Sequence, residues 1–328
     1  MKIGIIGCGR IAQERHIPEY AAHPGAELFG YYDFVASRAE EMAKQYGGRA
    51  FTSVEELLEC AEIDAVSVCT ANNAHAQTTI AALRAGKHVL CEKPMATSME
   101  ECEAMAAEAR RSGKVLMIAQ NQRFMSEHVK AKELLALGVI GRILTFRTCF
   151  GHSGPDHWSV DRGTGNWFFD KRQSVFGCMA DLGIHKTDLI QFLLDSEVEK
   201  VKAMTDTLDK CYADGSRVDV EDNAVCLFRL KNGVIGTMTA SWTYYGEEEN
   251  GTVLYGTDGS MKIRDGSVEV CLQSGDRVLY RMPPRSSSGV IDAFLDCLIC
   301  GGAVPVSGER VLSAMRAVFA ALDAAKEK

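Results

Sequence analysis

The chain opens on a short apolar run, Lys2-Ile3-Gly4-Ile5-Ile6, that leads straight into Gly7-Cys8-Gly9-Arg10-Ile11-Ala12. No other stretch constrains the fold as tightly. An apolar strand, a turn carrying two glycines and an apolar continuation read as strand, sharp turn and helix. The first glycine permits the turn and the second lets backbone come close to a phosphate. The small Ala12 lets the helix pack against the strand. Amides at the start of that helix then face the anion. In this setting G-x-G-x-x-A is the phosphate cradle of a dinucleotide-binding unit, with a plain strand-to-helix turn as the competing reading.

The next hundred residues repeat the alternation. Strands are expected at Lys2–Ile6, Glu27–Tyr32, 63–69, 87–91 and 115–119, with helices at 11–22, 35–46, 74–85 and 98–111. That is the pattern of a parallel, doubly wound sheet, in which ligands bind at the C-terminal ends of the strands. Gly7, Gly9, Arg10 and Ile11 are the expected pyrophosphate contacts. Asp33 ends the second strand, where an acid meets the adenosine ribose hydroxyls, so NAD is favoured. Arg38, about a turn further on, is placed to pair with a 2'-phosphate and keeps NADP open. Thr70, Asn72 and His75 lie at another strand's C-terminal edge, suited to touching the cofactor and equally to capping the helix that follows.

Beyond residue 120 the character changes. Strands richer in Thr, Val and Tyr are expected at 142–150, 198–207, Asn223–Leu230, 234–242 and 253–255, with turn chemistry from Asn232-Gly233 and Asp258-Gly259. Helices are expected at 127–137, 178–194, Val290–Cys300 and 309–326. The fold class is therefore an α/β Rossmann domain at 1–120, then an α+β domain at 121–328 with an open, mostly antiparallel sheet. The two are expected to pack around a shared cleft.

Composition narrows the partners. Apolar residues make 46% of the chain and charged ones 24%, the balance of a folded domain rather than a disordered one. A net charge of −8, with basic residues single or paired, speaks against nucleic acid. No apolar run approaches the ~20 residues that span a bilayer, and the short apolar stretch at 3–6 leads us to expect no secretory signal. Twelve irregularly spaced cysteines fit free thiols in a cytoplasmic protein, and Cys297-x-x-Cys300 reads as core thiols rather than zinc ligands.

Two further motifs carry chemistry: Gly86-Lys87-His88-Val89-Leu90-Cys91-Glu92-Lys93-Pro94 and Asp181-x-Gly183-x-His185. Together with the glycine turn they resemble the Gfo/Idh/MocA oxidoreductases, relatives of glucose–fructose oxidoreductase and inositol 2-dehydrogenase, over nearly the whole chain. The resemblance implies NAD(P)-dependent oxidation or reduction of sugars, polyols and related alcohols. It implies that Glu92 and Lys93 contact the cofactor, that Lys93 also binds the substrate oxygen, and that His185 takes the hydroxyl proton with Asp181 assisting.

The residue types suit that chemistry on their own account. Alcohol oxidation needs a base for the hydroxyl proton and a donor or cation for the developing alkoxide. Lys93 sits at a strand's end with a stiffening proline after it, though a loop lysine facing solvent is an even alternative. Asp181 and His185, four apart on a helix, share a face, and a carboxylate fixes an imidazole's tautomer and raises its basicity. An ordinary helix contact is the competing reading. Metal ligation with His152 or His157 is another, but no spacing matches a zinc signature and no metal is expected. Arg123, in Asn121-Gln122-Arg123-Phe124, either reaches substrate or holds the domains together. His152, His157, Trp158 and Asn166 belong to a loop expected to roof the cleft and are candidate substrate contacts, with packing as the alternative. Val175 and Phe176 stand where many family members carry glycines, and Ala71 where a proline is common.

The expected activity is hydride transfer between nicotinamide and a secondary alcohol or ketone of a sugar, inositol or sugar derivative. Two alternatives are NAD-dependent glycoside cleavage with transient redox and a cofactor-sensing regulator. Lys93 and His185 are expected to converge on one carbon. The expected partners are a small sugar or polyol and further copies of the chain in a homodimer or homotetramer, with no nucleic acid and no membrane.

Overall fold

The computed structural model describes residues 1–326, which form two compact units. The first takes Met1–Gln120 together with two later segments, Arg172–Val175 and Ser287–Leu312. The second takes Asn121–Lys171, Phe176–Ser286 and the chain from Ser313 onward.

The first unit holds six strands: β1 (Lys2–Ile6), β2 (Glu27–Tyr32), β3 (Arg49–Ala50), β4 (Ala65–Val68), β5 (His88–Cys91) and β6 (Leu116–Ile118). Their order is β3-β2-β1-β4-β5-β6 and every pairing is parallel, the doubly wound arrangement read from the alternation. β1, β4 and β5 are buried along almost their whole length, as strands covered on both faces must be. The helix Met99–Ser112 shows why the crossovers begin where they do. Ser98 accepts the Glu101 N–H at 3.1 Å, while Glu101 accepts from the backbone and hydroxyl of Thr97. Such a cap stabilises a helix start by ~1 kcal/mol.

The two later segments are stitched to this unit by polar contacts that composition does not announce. Ile118 N–H donates to the Val306 carbonyl at 2.9 Å, and Ser288 gives both its N–H and its hydroxyl to Glu19. Asn72 and Asn73 reach the other segment: Asn72 Nδ2 donates to the Ser174 carbonyl at 2.8 Å and Asn73 Nδ2 to that of Arg172 at 2.9 Å.

The second unit is built on eight strands: β7 (Ile143–Gly151), β8 (Val198–Asp206), β9 (Asn223–Leu230), β10 (Ile235–Ser241), β11 (Glu249–Gly256), β12 (Gly259–Arg264), β13 (Ser267–Leu272) and β14 (Arg277–Arg281). The order is β14-β13-β12-β11-β7-β10-β9-β8, antiparallel except where β7 meets β10. Three of these strands, β12 to β14, fall outside the runs read as strands from sequence. They are short, and in β14 the apolar Val278 and Leu279 are both exposed, so no alternation marks it. In β9 the alternation is clean: Ala224, Cys226, Phe228 and Leu230 are buried, and the residues between them are exposed. The helix Ile184–Leu194 lies on the covered side of this sheet, and its first seven residues are all buried.

Candidate active site

At the end of β1, Gly7 turns the chain at φ +93°. A Cβ there would lie 2.5 Å from the Cys69 carbonyl oxygen, so only glycine fits. Gly9 differs, because a Cβ there would meet nothing within 4 Å. That open space is what the approach of a pyrophosphate to the backbone demands. Asp33 is drawn against the same turn, accepting from Cys8 N–H at 2.7 Å and from Val35 N–H at 2.8 Å. Arg38 Nη1 lies 3.9 Å from the Asp33 carboxylate. Past the end of β4 the Thr70 hydroxyl is buried with no hydrogen-bond partner among the described residues. A polar group left so calls for a ligand or water to satisfy it. These features fit a dinucleotide. Arg10 is exposed and paired with Glu14, and Ile11 is half-buried at the helix start.

Two of the expected cofactor contacts are engaged elsewhere. The Asn72 amide is given to Ser174, as above. His75 is 1% exposed, with Nδ1 2.8 Å from the Pro94 carbonyl and Nε2 3.1 Å from that of Thr70. Burial holds its pKa below the usual histidine range, and a neutral ring donates to one carbonyl only, the nearer one on Pro94. Its evident work is to brace the loop after β5. In that loop Lys93 is the single residue of 89–96 that is not buried. The residues on both sides of it are interior.

In the second unit, Asp181 lies in a π-helical turn, Met179–Gly183, that opens directly into the helix Ile184–Leu194 bearing His185. Such turns concentrate at functional sites, and the plain helix read from sequence did not contain one. Asp181 and His185 are both 7% exposed. Asp181 Oδ2 accepts the indole N–H of fully buried Trp242 at 3.1 Å. From His185 a run of aromatic contacts leads back to that same tryptophan. Phe150 lies 6.1 Å from His185 between ring centroids, His152 5.9 Å from Phe150, Trp158 6.1 Å from His152 and Phe168 5.1 Å from Trp158. Trp242 closes the circuit 6.5 Å from Phe168. Edge-on rings of this kind suit the apolar face of a sugar.

The remaining candidates divide. His152 and Trp158 belong to the aromatic wall. His157 is exposed and sits 3.4 Å from Asp156. Asn166 is buried, its amide donating to the Gly163 carbonyl at 2.8 Å and its oxygen accepting Phe168 N–H at 2.9 Å, so its polar atoms shape the loop. Arg123 grips Asp188 through two 2.6 Å bonds, three residues past His185 on the same helix. Lys210, which sequence reading passed over, anchors the wall's loop: its ammonium, 4% exposed with its residue, meets the Ser153 carbonyl at 2.6 Å and both Asp156 oxygens at 2.9 and 3.0 Å. Among the described residues no group of three or more His, Cys, Asp or Glu side chains is arranged to hold a metal ion.

Residues 1–120 match the family model described as an oxidoreductase family with an NAD-binding Rossmann fold, and 128–262 match the GFO/IDH/MocA C-terminal domain. The chain belongs to the Gfo/Idh/MocA oxidoreductase family. It is 30% identical to 1,5-anhydro-D-fructose reductase of Ensifer adhaerens, covering 93% of this chain and 90% of that one. It is 29% identical to myo-inositol 2-dehydrogenase of Thermotoga maritima, covering 100% and 97%. A solved levoglucosan dehydrogenase in complex with NADH and levoglucosan superposes with a TM-score of 0.89 at 25% identity, covering 100% and 97%. This family places the protein among NAD(P)-dependent dehydrogenases and reductases acting on CH–OH groups, as the motifs had led us to expect.

One departure from the family pattern leaves a physical mark. Val175, where many members carry glycine, has φ +67°. A β-branched residue in the left-handed region is strained by ~1–3 kcal/mol. Val175→Gly is expected to keep or raise stability, since relief of strain exceeds the ~1 kcal/mol of added chain entropy. Thermal unfolding checks it: a loss of more than ~1 kcal/mol would show that Val175 packing outweighs the strain.

Proposed function

We propose that this protein transfers hydride between a nicotinamide cofactor and a secondary alcohol or ketone of a sugar, inositol or sugar derivative. The observation that carries the reading is the exposure pattern of 89–96, in which one ammonium is presented from an otherwise buried, braced loop. A protein does not build an interior platform for a lysine that only solvates its surface. The aromatic circuit joining His185 to the indole that holds Asp181 supports it from the second unit.

Gly7, Gly9 and Asp33 would hold the pyrophosphate and adenosine ends of NAD. The bound nicotinamide supplies the hydride acceptor or donor. In the oxidative direction His185 takes the hydroxyl proton, Asp181 keeps the imidazole oriented, and Lys93 stabilises the negative charge that forms on the oxygen. Trp242 keeps Asp181 in place, and Trp158 with His152 offers ring faces to the substrate. The reading includes a homodimer or homotetramer, because Leu144, Met204, Val225, Leu227 and Ile235 are exposed on strands of the open sheet.

The test is a panel of myo-inositol, levoglucosan, glucose 6-phosphate and 1,5-anhydro-D-fructose. Each is assayed with oxidised or reduced NAD and NADP, following absorbance of the reduced nicotinamide. Turnover of a panel compound is expected. Tight cofactor binding without turnover of any sugar or polyol would sink the assignment.

A further inference from the structure

Glu92 is a carboxylate 8% exposed, and burial by itself opposes its charge. It keeps that charge through two donors. Its Oε2 accepts the Lys93 backbone N–H at 3.1 Å, and its Oε1 lies 2.9 Å from His16 Nε2. Donation from His16, with the Lys93 ammonium beside it, outweighs desolvation and holds the Glu92 pKa below the usual carboxylate range.

His16 comes from the π-helical turn Ala12–His16 that follows the glycine cradle, and it is 3% exposed. Its other nitrogen, Nδ1, is 3.1 Å from Ser67 Oγ in β4, which is in turn 2.9 Å from the Tyr20 hydroxyl. Ser67 and Tyr20 are both 0% exposed. The proton order follows from the network. An ionised carboxylate only accepts, so His16 Nε2 carries the hydrogen. Among the described residues Tyr20 oxygen has no partner but Ser67, so it donates there. Ser67 then donates to Nδ1. Every donor in the row Tyr20, Ser67, His16 is used once, and the row ends on Glu92.

We propose that His16 is a positioning residue for Lys93, acting through Glu92 and held in its tautomer by Ser67 and Tyr20. The inference rests on the role given to Lys93 above and adds to it. The turn that cradles the cofactor's phosphates and the loop that presents the ammonium become one hydrogen-bonded assembly. A histidine that merely filled the core would need neither the carboxylate nor the directed row behind it.

The experiment is a pH profile of kcat and KM for His16→Ala, His16→Gln and Lys93→Ala, measured with the panel compound turned over fastest and with NADH affinity followed by fluorescence. In His16→Ala, Glu92 loses its main donor while still buried, so its pKa rises. Other titratable groups facing it are His75, Cys69, Cys91 and Lys93. Protonated Glu92 releases the loop, so activity is lost as pH falls through the raised value. The expected result is a 10- to 100-fold drop in kcat, an acid limb moved up by about one pH unit or more, and NADH affinity changed less than threefold. His16→Gln, which keeps a donor near Nε2, recovers most of the rate. Adding Glu92→Gln to His16→Ala removes the moved limb. A folded His16→Ala with unaltered kcat and pH profile overturns the proposal while the hydride-transfer reading stands. An active Lys93→Ala overturns both. Should His16→Ala not fold, Ser67→Ala takes its place, and an unaltered profile there is equally decisive against the proposal.

Discussion

Lys93→Ala is expected to lose turnover by about 10³-fold, roughly 4 kcal/mol of transition-state stabilisation, while NADH binding stays measurable. The size follows from where the ammonium stands. A donor preorganised in a water-poor site acts on charge as it develops and needs no reorganisation at that moment. Lys93 is flanked by buried Glu92 and Pro94, with the Pro94 carbonyl tied to His75 and Glu92 tied to His16. The support is buried, and removing the side chain leaves it in place. Thermal stability should change by less than ~1 kcal/mol, since no core volume is lost. Steady-state kinetics on the most active panel compound, with NADH fluorescence titration beside it, separates turnover from binding. Retention of more than a tenth of the wild-type rate would remove Lys93 from the chemistry.

His185→Ala should reduce kcat by 10²- to 10⁴-fold, the range ascribed to a positioned general base. The loss should be smaller at high pH, where hydroxide ion or ionised substrate replaces the missing base, so the deficit narrows as pH rises. A purely structural histidine predicts a deficit independent of pH. Asp181→Asn is the companion variant. The Trp242 indole that now donates to Asp181 Oδ2 at 3.1 Å would face either an amide oxygen or an amide N–H. An amide turned nitrogen-first clashes donor to donor, so the side chain flips or Trp242 shifts. The rate should fall with little change in KM, because orientation of the base and not substrate contact is what fails. A KM effect larger than the kcat effect would move Asp181 from base support to substrate binding.

How far the chain could be read without coordinates depended on whether a signal was local. Gly7 and Gly9 stand within one turn, so spacing alone singled them out as cradle candidates. Asp33 was singled out by its fixed distance along a βαβ unit. The Glu92-Lys93-Pro94 loop was recognisable as a motif, but its interior setting was not, because the braces come from residues 16 and 75. His16 follows Gln13-Glu14-Arg15 with nothing adjacent to mark it, and His75 reads as a cofactor or capping residue rather than as a brace. Trp242 lies 61 residues from the carboxylate it serves, at the end of a strand that reads as ordinary β. Lys210 resembles any loop lysine until the loop it anchors is seen 54 residues away. Asn166 and His157 are polar residues in a suggestive loop, of which one shapes the loop's backbone and the other stands exposed.

Alternating apolar runs, glycine spacing and the two short motifs determined by themselves the fold class, the nucleotide cradle and the family. These depend on contacts a few residues apart, where covalent geometry limits the choices. Tertiary structure alone decided which side chains brace the Lys93 loop and the Asp181 carboxylate, and it drew Arg172–Val175 and Ser287–Leu312 into the first unit. The reason is physical. A buried donor must find its acceptor in space, and one-dimensional order does not record which distant strand or turn will supply it.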